Sequence, residues 1–290
     1  MRKAPIARLH DRELPFPRLS LETTGSGVRF WTDAALEAAS SVRMGFTERA
    51  GGLSSGPYAS LNLGRFAGEG EEAARANMRH LMEAAGCAEA ALINPQQVHG
   101  TRAVMVLDGA PEAIAAADAA VQEGADALVV GVPDVFALLG FADCVPVVMV
   151  SPAGAFAVAH AGWRGAHGRI VSKTLGVLAD LACAEGAFAS RQEAAAACNI
   201  YIGPYIHAEC FEVSADVHGL FSEEFGRPVC PDASHVDLGA VIRADAVGAG
   251  ADTRRIADVD ACTVCNEDRF FSYRASGGTC GRHGAFVVRK

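Results

Sequence analysis

"FADCVPVVMVSPAGAFAVAHAGWRGAHGRI", residues 141–170, decides how the chain is read. Two apolar runs, "VPVVMV" and "AFAVAH", flank a turn-forming Pro-Ala-Gly segment. Short runs rich in β-branched residues and bounded by such residues read as strands. Neither run alternates polar with apolar residues, so both are predicted to be buried on both faces. "AVMVL", "ALVVG" and "VFALLG" upstream have the same character, and "VRFWT" and "NIYIGPYI" add further strands.

Helical stretches surround them. "EEAARANMRHLMEAAG" (71–86) combines helical apolar spacing, acidic residues in its first turn and a terminating glycine. "GRIVSKTLGVLADLAC", "DVHGLFSEEFG" and "LGAVIRADAVGAG" are predicted helices, and "TRRIAD" a late strand. Strands in runs with helices between them imply α/β or α+β packing around one core. A polar, proline-bearing arm over residues 1–26 precedes the domain, which covers 27–290 without an internal repeat or linker. "MGFTERAGGLSSGPYASLNLG" is dense in Gly, Ser and Pro and reads as a long ordered loop, the kind of segment that often carries function.

Half of the 290 residues are hydrophobic, enough for a substantial core. No stretch reaches the roughly 18 apolar residues of a membrane span, and the first residues break at proline before a signal core can form. The expected location is the cytoplasm. A net charge of −9 without a basic cluster argues against nucleic acid as partner. Nine cysteines in such a chain are expected to be reduced, many of them, such as Cys87, Cys183 and Cys198, being small core residues.

Three polar side chains fall where strands are predicted to end: His99 in "PQQVHG", Cys144 in "FADCVP" and His160 in "AVAHAGWRG". Two imidazoles and a thiolate suit zinc and leave a fourth position for water or substrate. The same atoms suit a Cys nucleophile with a His base, and the sequence leaves both open. Asp143 would point away from Cys144 on a regular strand, unless the chain bends, as Pro146 would allow. Arg164, between glycines in "GWRG", could grip an oxyanion, and Arg49 and Asn62 become ligand contacts only in company with the triad.

"TERAGGLSSGPYASLNLG", "QQVHG", "ADCVP", "HAGWRG", "IGPYIHAECFEV" and "FFSYRASGGTCGR" together resemble, in order, the signature blocks of the YfiH-like family, also called the polyphenol oxidase or laccase-domain family. The blocks lie within residues 44–288, nearly the whole chain. The resemblance implies a single α+β domain with mixed β-sheets packed against flanking helices. It implies purine nucleoside phosphorylase activity with accompanying adenosine deaminase activity, and purine nucleosides (adenosine, inosine, guanosine, methylthioadenosine) and inorganic phosphate as partners. It further implies zinc at His99, Cys144 and His160, the catalytic centre, with Arg49, Asn62 and Arg164 contacting substrate. The chain departs from the family at Ala275, Ser276 and Cys280, where Arg, an acid and Thr are usual.

The laccase name suggests copper, but a multicopper centre needs many histidines, largely in His-x-His pairs, and none of the nine here lie two residues apart. Zinc fits deamination, where it has an evident role in activating water, and phosphorolysis needs a guanidinium to hold phosphate. Two other readings compete: an amide hydrolase using Cys144 and a His base on cell-wall precursors, and a non-catalytic metal- or nucleoside-binding protein. Cys262-x-x-Cys265 and Cys280-x-x-His283 have zinc-ribbon spacing. They are nevertheless expected to be packing residues that hold no metal.

Overall fold

The structure, a computed structural model, describes residues 13–290. The first elements are β1 (Ser20–Thr23), β2 (Arg29–Thr32), α1 (Ala34–Ser40), β3 (Val42–Thr47), α2 (Glu71–Ala84), β4 (Ala91–Ile93), β5 (Ala103–Val106) and α3 (Pro111–Gln122). The central strands β6 (Ala127–Val130), β7 (Val135–Phe141), β8 (Val145–Val150) and β9 (Phe156–Ala161) follow, then α4 (Trp163–His167), α5 (Ile170–Ala184) and α6 (Arg191–Ala197). The chain ends with β10 (Asn199–Ile202), α7 (Ala215–Phe225), α8 (Leu238–Gly248), β11 (Ile256–Asp258) and β12 (His283–Arg289).

The strands form two six-stranded mixed sheets, ordered β1-β2-β3-β12-β7-β4 and β11-β10-β8-β9-β6-β5. The fold is α+β, and successive side chains along a strand show how its layers stack. In β8, Val145, Val147 and Met149 join the cluster containing Leu175, Leu178 and Ile242 of α5 and α8, whereas Val148 and Val150 join the cluster between the sheets. In β7, Ala137 and Leu139 face the other sheet, and Phe136 and Leu138 pack with Met78 and Leu81 of α2. Each sheet is therefore apolar on both faces, which is why these strands read as continuous hydrophobic runs.

The strand signals near residue 145 lie where predicted, but several elements, the helix α3 among them, were absent from the sequence reading, and two strands change the first sheet. Residues 44–47, assigned to the long loop, complete β3, and β12 closes the first sheet between β3 and β7. Both are stabilised by pairing with partners distant in sequence: Phe286 is opposite Gly45 on one side and Leu138 on the other. The expected arm of residues 1–26 lies partly outside the described residues. Within it, β1 pairs antiparallel with β2, so its later part belongs to the sheet.

One buried carboxylate ties the first sheet to the second. Asp33 caps α1, its Oδ1 accepting from the backbone N–H groups of Ala35 and Leu36 at 3.0 and 3.1 Å. Its Oδ2 accepts from the Tyr201 hydroxyl of β10 and from the Arg18 N–H, both at 2.9 Å. Asp33→Ala should cost about 3 kcal/mol, the sum of a lost cap and a buried phenol whose hydroxyl proton loses its acceptor, keeping only the Asn199 contact. Urea unfolding monitored by circular dichroism checks this. A loss below about 1 kcal/mol would mean that water or a neighbour replaces the carboxylate.

Candidate active site

His99, Cys144 and His160 converge from three segments, their ligand atoms lying within 4.8 Å of one another. His160 is on β9, on the face toward Phe141, 5.4 Å between ring centroids. Cys144 is in the bend between β7 and β8, and His99 in the loop between β4 and β5. Both loops require uncommon backbone: φ is +58° at His99 itself and +88° at Asp143, the residue before Cys144. Gly162 leaves the space they need, since a Cβ there would be 2.7 Å from His99 Nδ1 and 3.1 Å from Cys144 Sγ.

The group that organises the cluster is Asp126, which the sequence reading missed. It is fully buried just before β6. Its Oδ1 accepts from the His99 N–H at 3.0 Å and is 2.8 Å from His160 Nδ1. Its Oδ2 accepts from the N–H groups of Gly100 at 2.7 Å and Val98 at 3.3 Å. One carboxylate thus shapes the histidine loop and orients the second imidazole, turning His160 Nε2 toward the cluster. A carboxylate behind a histidine ligand fixes its tautomer and raises its basicity. The available signal was an acid in "GADALVV", directly ahead of a wholly apolar strand.

Electrostatics follow from these contacts. Burial alone would raise the Asp126 carboxyl, but its bonds to His160 and to the Gly100 and Val98 amides hold it below its ordinary value. Burial would likewise lower His160, yet Cys144 and Asp126 raise it to about 9. The Cys144 thiol, which burial would raise, is brought down to about 6 by the charge and hydrogen bond of His160 and by His99.

The cluster opens into a cavity of about 470 Å³, within the usual range for small-molecule sites. Asp143, Cys144, His99 and His160 line it together with Arg65, Arg274, Arg282, Phe66, Phe211 and Tyr273. Asp143 is there because its left-handed backbone precedes β8; the strand begins after Cys144, so strand alternation does not separate the two. Thr263 Oγ1 and the Arg274 N–H each donate to its carboxylate at 2.7 Å.

Arg49, Asn62 and Arg164 are not among the cavity's lining residues. Arg49 Nε donates to Ala59 O and Nη1 to Glu267 O, with the guanidinium over Phe271. Asn62 is fully buried, donating to Glu69 and accepting from the N–H groups of Gly64 and Arg282. An irregular loop must satisfy its backbone through side chains, and these two do so. Arg164 is exposed on α4 and stacks on Trp163, 4.2 Å from the ring. The guanidiniums of the cavity are instead Arg65, Arg274 and Arg282, all within or directly after quoted sequence blocks, but no pattern told which arginines turn inward. Arg65 is bound to Asn94 and Gln122, and Arg274 to the carbonyls of Cys210 and Glu212. Arg282 uses Nη1 on the carbonyls of Cys280 and Gly281.

The zinc-ribbon quartet does not assemble. Cys280 packs with Ala142 and Phe271. His283 is buried at the start of β12, where burial pushes its imidazole down to about 3. No helix of the described residues is long and apolar enough to cross a membrane.

Metal-free protein gives a direct test of this electrostatic arrangement. Alkylation of Cys144 by iodoacetamide, followed by mass spectrometry of its peptide, should show a midpoint near pH 6, well below the ordinary thiol range. Asp126→Asn should move that midpoint upward, because a less basic His160 stabilises the thiolate less. The same variant should weaken metal binding by roughly 10- to 100-fold. An unchanged midpoint would show that Asp126 does not tune the pair.

The chain resembles known proteins over most of its length. Residues 43–290 match the family described as multi-copper polyphenol oxidoreductase laccase. The chain is 36% identical over 253 residues to a purine nucleoside phosphorylase of Deinococcus radiodurans, covering 83% of this chain and 87% of that one. It is 36% identical over 208 residues to adenosine deaminase RL5 of an unknown prokaryotic organism, covering 69% and 75%. The crystal structure of YlmD from Geobacillus stearothermophilus superposes with a TM-score of 0.75 at 29% identity, over 96% of this chain and all of that one.

Proposed function

The chain belongs to the multi-copper polyphenol oxidoreductase laccase family, and on that premise we propose that it is a zinc-dependent purine nucleoside phosphorylase with accompanying adenosine deaminase activity. The observation that carries the reading is the meeting of His99, Cys144 and His160 at a cavity that also holds guanidiniums and aromatic rings. Relatives named purine nucleoside phosphorylase and adenosine deaminase support it.

The donor set fits zinc: two imidazoles and one thiolate, with an Asp-backed histidine, leave one position of a tetrahedron open. His99, Cys144 and His160 would hold the ion, His160 through Nε2. Bound there, zinc would supply Lewis-acid activation of water or of a substrate oxygen. The family's copper label is not matched by the donors, since each cluster of potential metal ligands among the described residues contains at most two histidines.

The remaining steps fall to the chain's own groups. Phe66 and Tyr273, 68% and 54% exposed, offer faces on which a purine can stack. In deamination the attacking water must lose a proton and the departing ammonia must gain one. Asp143, on the cavity wall beside Cys144 and fixed by Thr263 and the Arg274 amide, is the carboxylate suited to carry it. In phosphorolysis the phosphate oxygen attacks the ribosyl carbon as the purine leaves, and Arg282 is suited to grip that anion in two-pronged fashion.

A second reading rests on the lowered Cys144 thiol beside a raised His160, the pairing expected of a cysteine nucleophile in an amide hydrolase. Chelation separates the two. Adenosine, inosine, guanosine and methylthioadenosine are incubated with the protein, with and without phosphate, before and after zinc removal. The proposal expects base release that needs phosphate and ammonia release from adenosine, at least the latter lost with zinc and restored by it. Activity on amides that survives chelation would favour the nucleophile, and nucleoside binding without any product a non-catalytic role.

The arginine assignment is tested on the same assay. Arg282→Lys should reduce phosphorolysis about a hundredfold, an effect of about 2 to 4 kcal/mol, with a smaller effect on deamination. Arg164→Lys should leave both within about twofold, because its guanidinium packs on Trp163 outside the cavity. The reverse ranking would return phosphate binding to Arg164.

A further inference from the structure

Behind the wall of the cavity is a second concentration of thiols that the proposed reaction does not use. Cys210, Cys262 and Cys265, with the Glu209 carboxylate, bring their ligand atoms within 4.8 Å of one another. Cys210 and Cys265, 55 residues apart in sequence, have their sulfurs 3.6 Å apart. A tetrahedral zinc–thiolate site with bonds of about 2.3 Å has sulfur–sulfur edges of about 3.8 Å, so this spacing needs almost no adjustment. The Cys262 sulfur also accepts the backbone N–H of His207 at 3.4 Å.

Packing accounts for Cys262, which is buried, and in part for Cys210, which lies against the core, but it does not bring Cys265 to them. Thiols that serve as small core residues are buried, as Cys198 is here, whereas Cys265 is exposed and Cys210 only half-buried. The earlier expectation that Cys262 and Cys265 are packing residues paired only with Cys280 and His283 overlooked Cys210, because nothing in the local spacing links it to them.

We propose that Cys210, Cys262, Cys265 and Glu209 form a second, structural zinc site that braces the cavity wall. Four protein ligands leave no open position, which is the mark of a structural rather than a catalytic centre. The segments it would join are those that position the cavity's polar groups. Thr263, next to Cys262, donates to Asp143, the Cys210 carbonyl accepts from Arg274 Nη1, and Phe211 lines the cavity. A cation at this point therefore fixes one side of the cavity without touching substrate.

The test uses full-length protein, kept reduced, loaded with excess Zn²⁺, freed of unbound metal and analysed for zinc. Wild type, Cys144→Ser, Cys265→Ser and the double variant are compared. Cys265→Ser should lose one equivalent relative to wild type, and the double variant one equivalent relative to Cys144→Ser, so the result does not depend on whether the first centre binds zinc. Should Cys265→Ser fold poorly, Cys144→Ser loaded with Co²⁺ decides: a sulfur-to-cobalt charge-transfer band can then arise only from the second cluster, and its absence overturns the proposal. Full zinc retention by folded Cys265→Ser also overturns it, as does finding Cys210 and Cys265 joined in a disulfide when protein is isolated without reductant and cannot take up the second ion after reduction.

Discussion

The Asp126 carboxylate is the contact on which the site depends. A buried acid is tolerated only when its charge is compensated, and here three consecutive backbone amides and one imidazole do so. The arrangement works in both directions. The amides of Val98, His99 and Gly100 can turn inward, with His99 in a left-handed conformation, because an anion receives them. His160 presents Nε2 to the cluster because its Nδ1 is engaged. Without that anion, neither histidine has a reason to hold its orientation.

Stacking two sheets, each buried on both faces, leaves few places for polar chemistry. The interior is apolar, so groups that must meet water or substrate collect where strands start and stop. Cys144 and Asp143 occupy the β7–β8 bend, His99 a loop, and Arg282 the residue before β12. His160 is the exception, inside β9, and it is also the member whose burial is compensated by a charged partner. A histidine on a buried strand without such a partner behaves otherwise: His283 begins β12 with no carboxylate beside it, and burial keeps it neutral.

Much of this was legible beforehand, and what was not has definable causes. Strands such as β8 and β9 announce themselves because double burial removes all polar residues from them. Helices α2, α5, α7 and α8 announce themselves through spacing and end signals. β12 was harder, since "HGAFVVR" follows a glycine-rich loop and becomes a central strand only through pairing with β3 and β7. In the site, residues at turns beside apolar runs stood out, which singled out His99, Cys144 and His160. Asp126 did not, because a lone acid before a strand ordinarily faces solvent. The direction in which each arginine points was equally invisible: Arg49 and Arg282 occur in similar glycine-bearing loops and both bind backbone carbonyls, yet only Arg282 lines the cavity.

Asp143 connects these parts into one unit. Its left-handed backbone brings the carboxylate to the same cavity wall as the adjacent thiol, and both oxygens are already engaged, one by Thr263 and one by the Arg274 amide. Thr263 belongs to the turn that carries Cys262 and Cys265, and Arg274 reaches back to the carbonyls of Cys210 and Glu212. Displacing the 262–265 turn therefore cannot leave Asp143 unaffected: its hydrogen bonds would break or its backbone would relax toward the commoner φ region, carrying Cys144 with it. The Cys144 position is thus constrained from two sides, by Gly162 and the histidines in front and by the Asp143–Thr263 contact behind. The second constraint reaches the thiol cluster through covalent neighbours and two hydrogen bonds, so geometry at one cluster is transmitted to the other by rigid local contacts alone.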